Sequence, residues 1–537
     1  MEQVRDSTSR RRPVYLPHHP VIRESSSTTK VRVVFNASSV TSNGFTLNDC
    51  LLVGPKLQND LGGVLLNWRF YRYVYLADIE KMFRQILVHP DDVDYQRIVW
   101  RPNPQSPVLS YRLLTVTYGT ASAPYLAIRV RHQLADDESR RFPQAAKILK
   151  NSAYVDDLLF GANDIASAIQ LRAQLNDLMH SGGFHLRKWA ANDPQLLSII
   201  PSGDHELSCD HAFEENTSLK VLGVAWRPTD DVFFFRTTEF TESRTTKRTV
   251  LSFIARLFDP LGWASPVVIV AKILMQDLWL QKIDWDEIIP ASLLQRWQDY
   301  VSSLPKLSNC RMPRWLNTYD PDHAVEIHGF ADASQRAYAA VVYLRVRHSP
   351  NRISVSLLAA KSKVAPLKTI AIPRLELMAI VLLARLINHV LGVLENPDIP
   401  IYGWTDSTVA LAWLEFATLL CQIEACLNSR PLAALTSDPD SFEALTPGHF
   451  LIGRPLLSAP GESVLEINEN RLSRWQRVQA MHEQFWKAWS SDYLHTLHQR
   501  QKWRTVEPPI KINDLEHPMI VLSASQRNIS QHIYTQS

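Results

Sequence analysis

The chain has 537 residues, 45% hydrophobic and 21% charged, an ordinary globular composition long enough for roughly three or four domains. Its formal net charge is only +3, so overall charge does not announce nucleic acid and local patches must carry any such argument. Five cysteines without a CxxC pair exclude a disulfide framework or a zinc knuckle and fit a reducing compartment.

The N-terminus, "MEQVRDSTSRRRPVYLP", carries a basic run, Arg10 to Arg12, but no apolar signal-peptide core. An intracellular protein is expected, in cytoplasm or nucleus. In "RYVYLADIEKMFRQI", residues 73–78 alternate like a strand, and from Ile79 the pattern turns helical. Asp78 thus stands near a strand end. It is either a helix-capping aspartate or a carboxylate displayed from a central strand. Phe83, five residues on, is either core or the wall of a pocket.

"NSAYVDDLLFGA" places Asp156 and Asp157 side by side between apolar runs. A hairpin tip would explain them, since Asp tolerates turns. The sharper reading is a turn that offers carboxylates to Mg²⁺, whose charge cancels their repulsion. With Asp78 as the third acid, two strands would hold two metal ions for an in-line phosphoryl displacement.

After residue 200, "LKVLGVAWRPTDDVFFF" reads as two strands around a turn. Residues 246–289 then read as helices broken at Pro260 and Pro266, with Trp279 and Trp285 as core. "AVEIHGFADASQRAYAAVVYLRV" predicts two strands, the first bearing Asp332, and "VSLLAAKSKVAP" a third. A helix with Glu376 in its first turns follows, then a strand ending at Asp406 and a further helix. Residues 377–394 form the longest apolar stretch. Arg385, Asn388 and His389 interrupt it, which predicts a buried amphipathic helix and no membrane span. In the tail, Trp475, Val478, Phe485, Trp489 and Tyr493 recur at helical spacing. Arg471, Arg474, Arg477, Lys487, Arg500, Lys502 and Arg504 make that helix basic. There is no Walker loop, Rossmann glycine fingerprint or HExxH.

These motifs, in this order, resemble a reverse transcriptase. "LADIEKMFRQI" and "YVDDLLFGA" are similar to palm motifs A and C, and "VTYGTASAPYLA" to motif B. "GGFHLRKWAAN" is similar to the hairpin that grips the primer end, and "KVRVVFNAS" to the fingers segment that meets the triphosphate. The wording of "YLPHHPVIRESSSTTKVRVVFNAS" and "LFDPLGWASPVVIVAKILMQDLW" most resembles BEL/Pao long-terminal-repeat retrotransposon polyproteins.

The resemblance implies an RNA-directed DNA polymerase in which Asp78, Asp156 and Asp157 hold two Mg²⁺ ions. It makes Lys30, Arg32, Phe83, Tyr118 and Gly119 nucleotide-binding, with Phe83 the gate against ribose, and gives Lys188 and Trp189 to the primer grip. Tyr118-Gly119 stands where retroviral enzymes have Gln-Gly. Asp332, Glu376 and Asp406, in the order β-β-β-α-β-α, resemble a ribonuclease H that holds two metal ions and cuts RNA in a hybrid. RNA template, DNA primer, RNA–DNA hybrid and deoxynucleoside triphosphates are the implied partners, with no membrane.

Soon after Leu414 the pattern departs from ribonuclease H. "FATLLCQIEACLNSRPLAAL" looks like the last helix of an integrase core, with Glu424 as its acid and no partner aspartates.

The expected architecture is α+β: fingers and palm over 1–200 and a connection- or thumb-like region over 201–315. A truncated ribonuclease-H-like domain over 316–415, an integrase remnant over 416–460 and a basic helical tail over 461–537 complete it. The alternative is a decayed retroelement product that binds nucleic acid without catalysis.

Overall fold

Strands that read as unbroken apolar runs become the centres of sheets, because both their faces are covered. The computed structural model describes residues 1–4, 13–22, 31–206, 218–320, 323–394, 398–434, 444–454, 456, 463–465, 467 and 472–496. They fall into two units, Met1–Thr405 and Asp406–Ser537. Both mix helix and strand as α+β predicts. Lys30, the Arg10–Arg12 run, Arg471, Arg500, Lys502 and Arg504 lie outside the described residues.

In the first unit, β1 (His18–Ile22) and β2 (Val31–Phe35) form an antiparallel hairpin. Helix α1 (Leu61–Trp68) precedes β3 (Tyr73–Ile79). Helix α2 (Ala123–Asp137) leads toward β4 (Ala153–Tyr154) and β5 (Asp157–Ala162). Helix α3 (Ile165–Ser181) then returns the chain to β6 (Leu186–Ala191). These four strands make one sheet in the order β4-β5-β3-β6. Tyr75, Phe160 and Trp189 meet in its core, with ring centroids 5.3 Å apart for Tyr75–Phe160 and 5.6 Å for Tyr75–Trp189. Gly161 is required there: a Cβ would lie 2.3 Å from the Tyr73 carbonyl oxygen.

Two local expectations change. After Ile79 the chain makes a 3₁₀ turn, Met82–Gln85, instead of an α-helix, so Phe83 sits in a tight turn. Residues 182–192 form a sheet strand after α3 and no hairpin. The hairpin is instead β7 (Leu219–Val221) with β8 (Val224–Arg227), closed by Leu222 and Gly223 at φ 46° and 94°. β9 (Val232–Phe234) and β10 (Arg311–Pro313) complete that second sheet.

Helices Lys247–Ala255 and Ser265–Leu280 follow β9. Pro266 opens the second helix and breaks nothing, because a first-turn residue has no intrahelical N–H bond to lose. Trp279 and Trp285 are exposed, contrary to the core expectation. They pack edge-on at 5.4 Å, with the Lys247 ammonium 4.4 Å from the Trp279 ring centre.

The third sheet follows the sequence order: β11 (Ala324–Ala333), β12 (Ala337–Ser349), β13 (Arg352–Val364), helix α4 (Ile372–Leu394) and β14 (Ile401–Trp404). Its spatial order is β13-β12-β11-β14, with β14 parallel to β11 at the edge. Helix α4 buries Leu375, Ala379, Leu382, Leu383, Ile387 and Val390 in the core it shares with β11 and β12. It is the buried amphipathic helix the sequence predicts. By length and composition alone, α4 and Thr408–Asn428 are each apolar enough to cross a membrane.

Two fully buried guanidiniums join the first and second sheets to the third. Arg314 donates to the carbonyls of Trp68 and Tyr71 at 2.8 Å and of Arg72 at 3.0 Å, and pairs with Asp231 at 2.6 Å. Arg69 donates to the carbonyls of Pro313, Arg314 and Leu357. Burial, then the charge of Arg314, pulls Arg69 down to about 9.

In the second unit, helix α5 (Thr408–Asn428) runs unbroken through residues 414–417, where the sequence resemblance changes. Helix α6 (Arg474–Thr496) confirms the helical spacing of the tail. The Cys426 thiol meets His482 Nε2 at 2.9 Å in the core between these two helices.

Candidate active sites

The first acid set is built by register. Asp78 on β3 lies directly opposite Asp157 on β5, and Asp156 occupies the two-residue turn between β4 and β5. The Ile79 amide donates to the Asp156 carbonyl at 2.8 Å, which ties the turn to β3.

The other turn residue, Val155, has φ 53°, a left-handed conformation unfavourable for a β-branched side chain. Two polar groups hold it there: its carbonyl accepts from Arg131 Nη1 at 2.9 Å, and its amide donates to Gln58 Oε1 at 3.3 Å. Strain held in place by its surroundings is typical of functional turns. Arg131 is buried, and burial pulls it down to about 10.

Electrostatics mark the same place. Burial, then the charge of Asp78, raises Asp156 above its ordinary value. Burial, then Asp156 and Asp78, pushes Asp157 up to about 7. Lys188 opposes this with its Nζ 2.8 Å from Asp78 Oδ2. Burial pulls the Lys188 ammonium down, but its bond to Asp78 leaves it above its ordinary value. Glu206 is raised chiefly by desolvation, against the lowering charge of Lys188.

The remaining predicted residues lie on several elements of the first unit. Arg32 is exposed on β2, and its charge lowers Asp156. Phe83 is half-buried against the first sheet's core. Tyr118 accepts from Arg84 Nη2 at 3.2 Å and meets Phe35 edge-on at 5.3 Å. Gly119 has φ 98°, and a Cβ there would stand 2.5 Å from the Phe35 carbonyl oxygen, so glycine lets the two segments close. Trp189 is buried and donates to the Leu186 carbonyl. It supports the strand from beneath and leaves no face for a primer.

The second acid set sits at strand and helix ends. Asp332 is exposed on β11 and Glu376 is buried in the first turns of α4. Asp406 follows β14 by two residues, where the first unit ends. One carboxylate oxygen of each lies within 4.8 Å of the others, the one such convergent group of three among the described residues. Oxygen-only donors of this kind suit a hard divalent cation. Glu424 is exposed on α5 and joins no such group.

The sequence reading missed Arg131, Gln58, Arg69 and Arg314. Arg131 alone left a trace: it occupies the buried stripe of α2 with Ala127, Ile128 and Ala135. A charge at a core position signals a specific partner.

Sheet order, helix α4 and the converged acids define an RNaseH-like domain. Its kind is specific: residues 246–407 match the model of the Pao retrotransposon-like RNaseH-like domain. The BEL/Pao-type retrotransposon resemblance is thereby borne out. Residues 473–529 match a family of unknown function, DUF5641. No curated protein matches.

Among solved structures, a foamy viral protease-reverse transcriptase in complex with RNA/DNA hybrid is 14% identical, with a TM-score of 0.46. The match covers 75% of this chain and 49% of that one, so this chain spans about half of its length. The same enzyme's dRH form in complex with double-stranded DNA is 15% identical over 73% of this chain and 66% of that one, with a TM-score of 0.45.

Proposed function

We propose that this chain is an RNA-directed DNA polymerase of a retrotransposon, with an impaired ribonuclease H and a non-functional integrase remnant. The observation that carries the reading is Asp78 facing Asp157 in register, with Asp156 in a strained, clamped turn beside them. The donors fit a metal: three hard carboxylates, two of them raised first by burial and then by the charge of their neighbours. Bound there, two Mg²⁺ ions would activate the primer hydroxyl and steady the leaving pyrophosphate.

The protein's own part is positioning. The β3–β5 register sets the spacing of the acids, Arg131 and Gln58 fix the turn, and Gly119 brings β2 close to the motif B loop. Phe83 stands five residues beyond Asp78, where a ring would exclude a 2′-hydroxyl. Asp332, Glu376 and Asp406 would hold the metal that activates water against the RNA strand of a hybrid.

Impairment of this second activity rests on the flank of the third sheet. β14 is an edge strand, and Phe330, Tyr402 and Trp404 are 43–51% exposed. Exposed apolar area costs about 25 cal/mol per Å², so an uncovered flank weakens the domain that holds the acids.

Extension of a DNA primer on an RNA template by the purified chain tests the proposal. It is expected to require Mg²⁺ and to be lost in Asp156→Asn. Hybrid binding without extension would favour the decayed, non-catalytic reading, which the same exposed flank supports.

A further inference from the structure

We propose that Lys188 is the internal cation of the metal-free first acid site. It holds Asp78 apart from Asp156 and Asp157 until a divalent ion displaces it. The inference rests on the reading of that set as a metal site.

The backbone is shaped for this contact. Asp78 is opposite Arg187 and Leu76 is opposite Ala190, so Lys188 and Trp189 together oppose the single Ala77. A regular strand would point Lys188 to the face away from Asp78, because successive side chains alternate. The extra residue breaks the alternation, and Lys188 takes φ 54°, a costly conformation for a lysine. The result is an ammonium 2.8 Å from Asp78 Oδ2. Bulges of this kind re-aim side chains beside active sites.

The carboxylates agree with the arrangement. Asp332, Glu376 and Asp406 converge within 4.8 Å, whereas Asp78, Asp156 and Asp157 form no such group among the described residues. Asp78 is turned to Lys188, while its two neighbours keep their mutual repulsion. Lys188 bears on Glu206 and Asp157 as well, so one ammonium serves several acids. A divalent ion brings twice the charge and can take several oxygens at once, which a single ammonium cannot. Metal entry and lysine release are therefore one exchange. The freed ammonium remains on the face where the phosphates of an incoming nucleotide would lie.

Mn²⁺ is the probe. Its binding is followed by the loss of the free-ion electron paramagnetic resonance signal, without nucleic acid. The full chain carries Asp332→Asn throughout to silence the second acid set. Lys188→Met is expected to bind Mn²⁺ about tenfold more tightly than its parent, and Lys188→Arg to match the parent. In chelator, Lys188→Met should melt below its parent and gain more on Mn²⁺ addition. Equal or weaker Mn²⁺ binding by Lys188→Met, with Lys188→Gln agreeing, overturns the proposal. If Asp156→Asn leaves Mn²⁺ binding unchanged in both backgrounds, the metal-site reading itself fails, a result separate from the exchange.

Discussion

The two acid sets of this chain solve the same problem in opposite ways. Asp332, Glu376 and Asp406 have already converged at the ends of elements, the two aspartates open to water and Glu376 buried between them and the core. Water at the two aspartates screens much of the repulsion. Asp78 and Asp157 face each other on central strands with Asp156 in the turn beside them, all three half-buried, so their repulsion is less well screened. There the fold supplies a lysine and a clamped turn. Exposure lets a site preassemble, and burial demands a counter-ion. The buried set should therefore be the more sensitive of the two to pH and to loss of its neighbours.

Separate disabling of the two sets would break this comparison most sharply. Asp78→Asn is expected to cut primer extension by roughly a thousandfold, about 4 kcal/mol of barrier, without altering hybrid cleavage. Asp406→Asn should abolish whatever hybrid cleavage is present and spare extension. If either change removes both activities, the sites are not independent.

Next in size is the joint that holds the regions together. Arg314→Met would take the cation from the Asp231 carboxylate, which keeps only the neutral donors Trp226 and Asn192, and remove a donor from three carbonyls; it should cost about 3 kcal/mol or more in urea unfolding. A loss below 1 kcal/mol (on the order of an ordinary surface change) would mean that the joint is not structural.

The counter-charge argument predicts a pH effect. In the folded, metal-free chain Asp157 stands at about 7, against 3.8 for an ordinary aspartate. Between those values the folded chain binds more protons than the unfolded one. Its stability therefore falls as pH rises through this window, by at most about 1.4 kcal/mol per pH unit. Asp157→Asn in chelator should flatten that slope and raise the melting temperature at pH 8. An unchanged slope would show that Asp157 is adequately paired.

Phe83→Val should raise ribonucleotide over deoxynucleotide incorporation by about tenfold in competition assays, which sharpens the assignment of the first pocket. An unchanged ratio leaves Phe83 as packing. Smallest of all, Glu424→Gln should shift stability by less than about 0.5 kcal/mol, as expected of an exposed residue. Both forms should stay at background in strand transfer with terminal-repeat DNA, and robust joining would refute the remnant reading.

Much of this was legible in the sequence because it is local. Alternation and turn residues gave β3, the β4–β5 hairpin and the β-β-β-α-β-α order of the third sheet. The Asp-Asp pair between apolar runs marked the first site. What escaped was non-local or geometric. The bulge at Lys188 depends on register against β3, which no single strand encodes. Trp279 and Trp285 look like core in composition, yet they shelter a lysine stem at the surface. Arg69 and Arg314 lie far apart in sequence and carry no motif.

Those two arginines hydrogen-bond almost wholly to main-chain carbonyls, with Asp231 the one side chain among the acceptors, while their flat faces rest on the Trp263 and Trp68 rings. A joint that reads backbone is blind to the side chains of the segments it grips. Residues 71, 72, 313 and 357 can drift in identity while the joint stays closed, provided their carbonyls keep their places. Such a fastening tolerates more change in the segments it grips than one built from pairs of side chains.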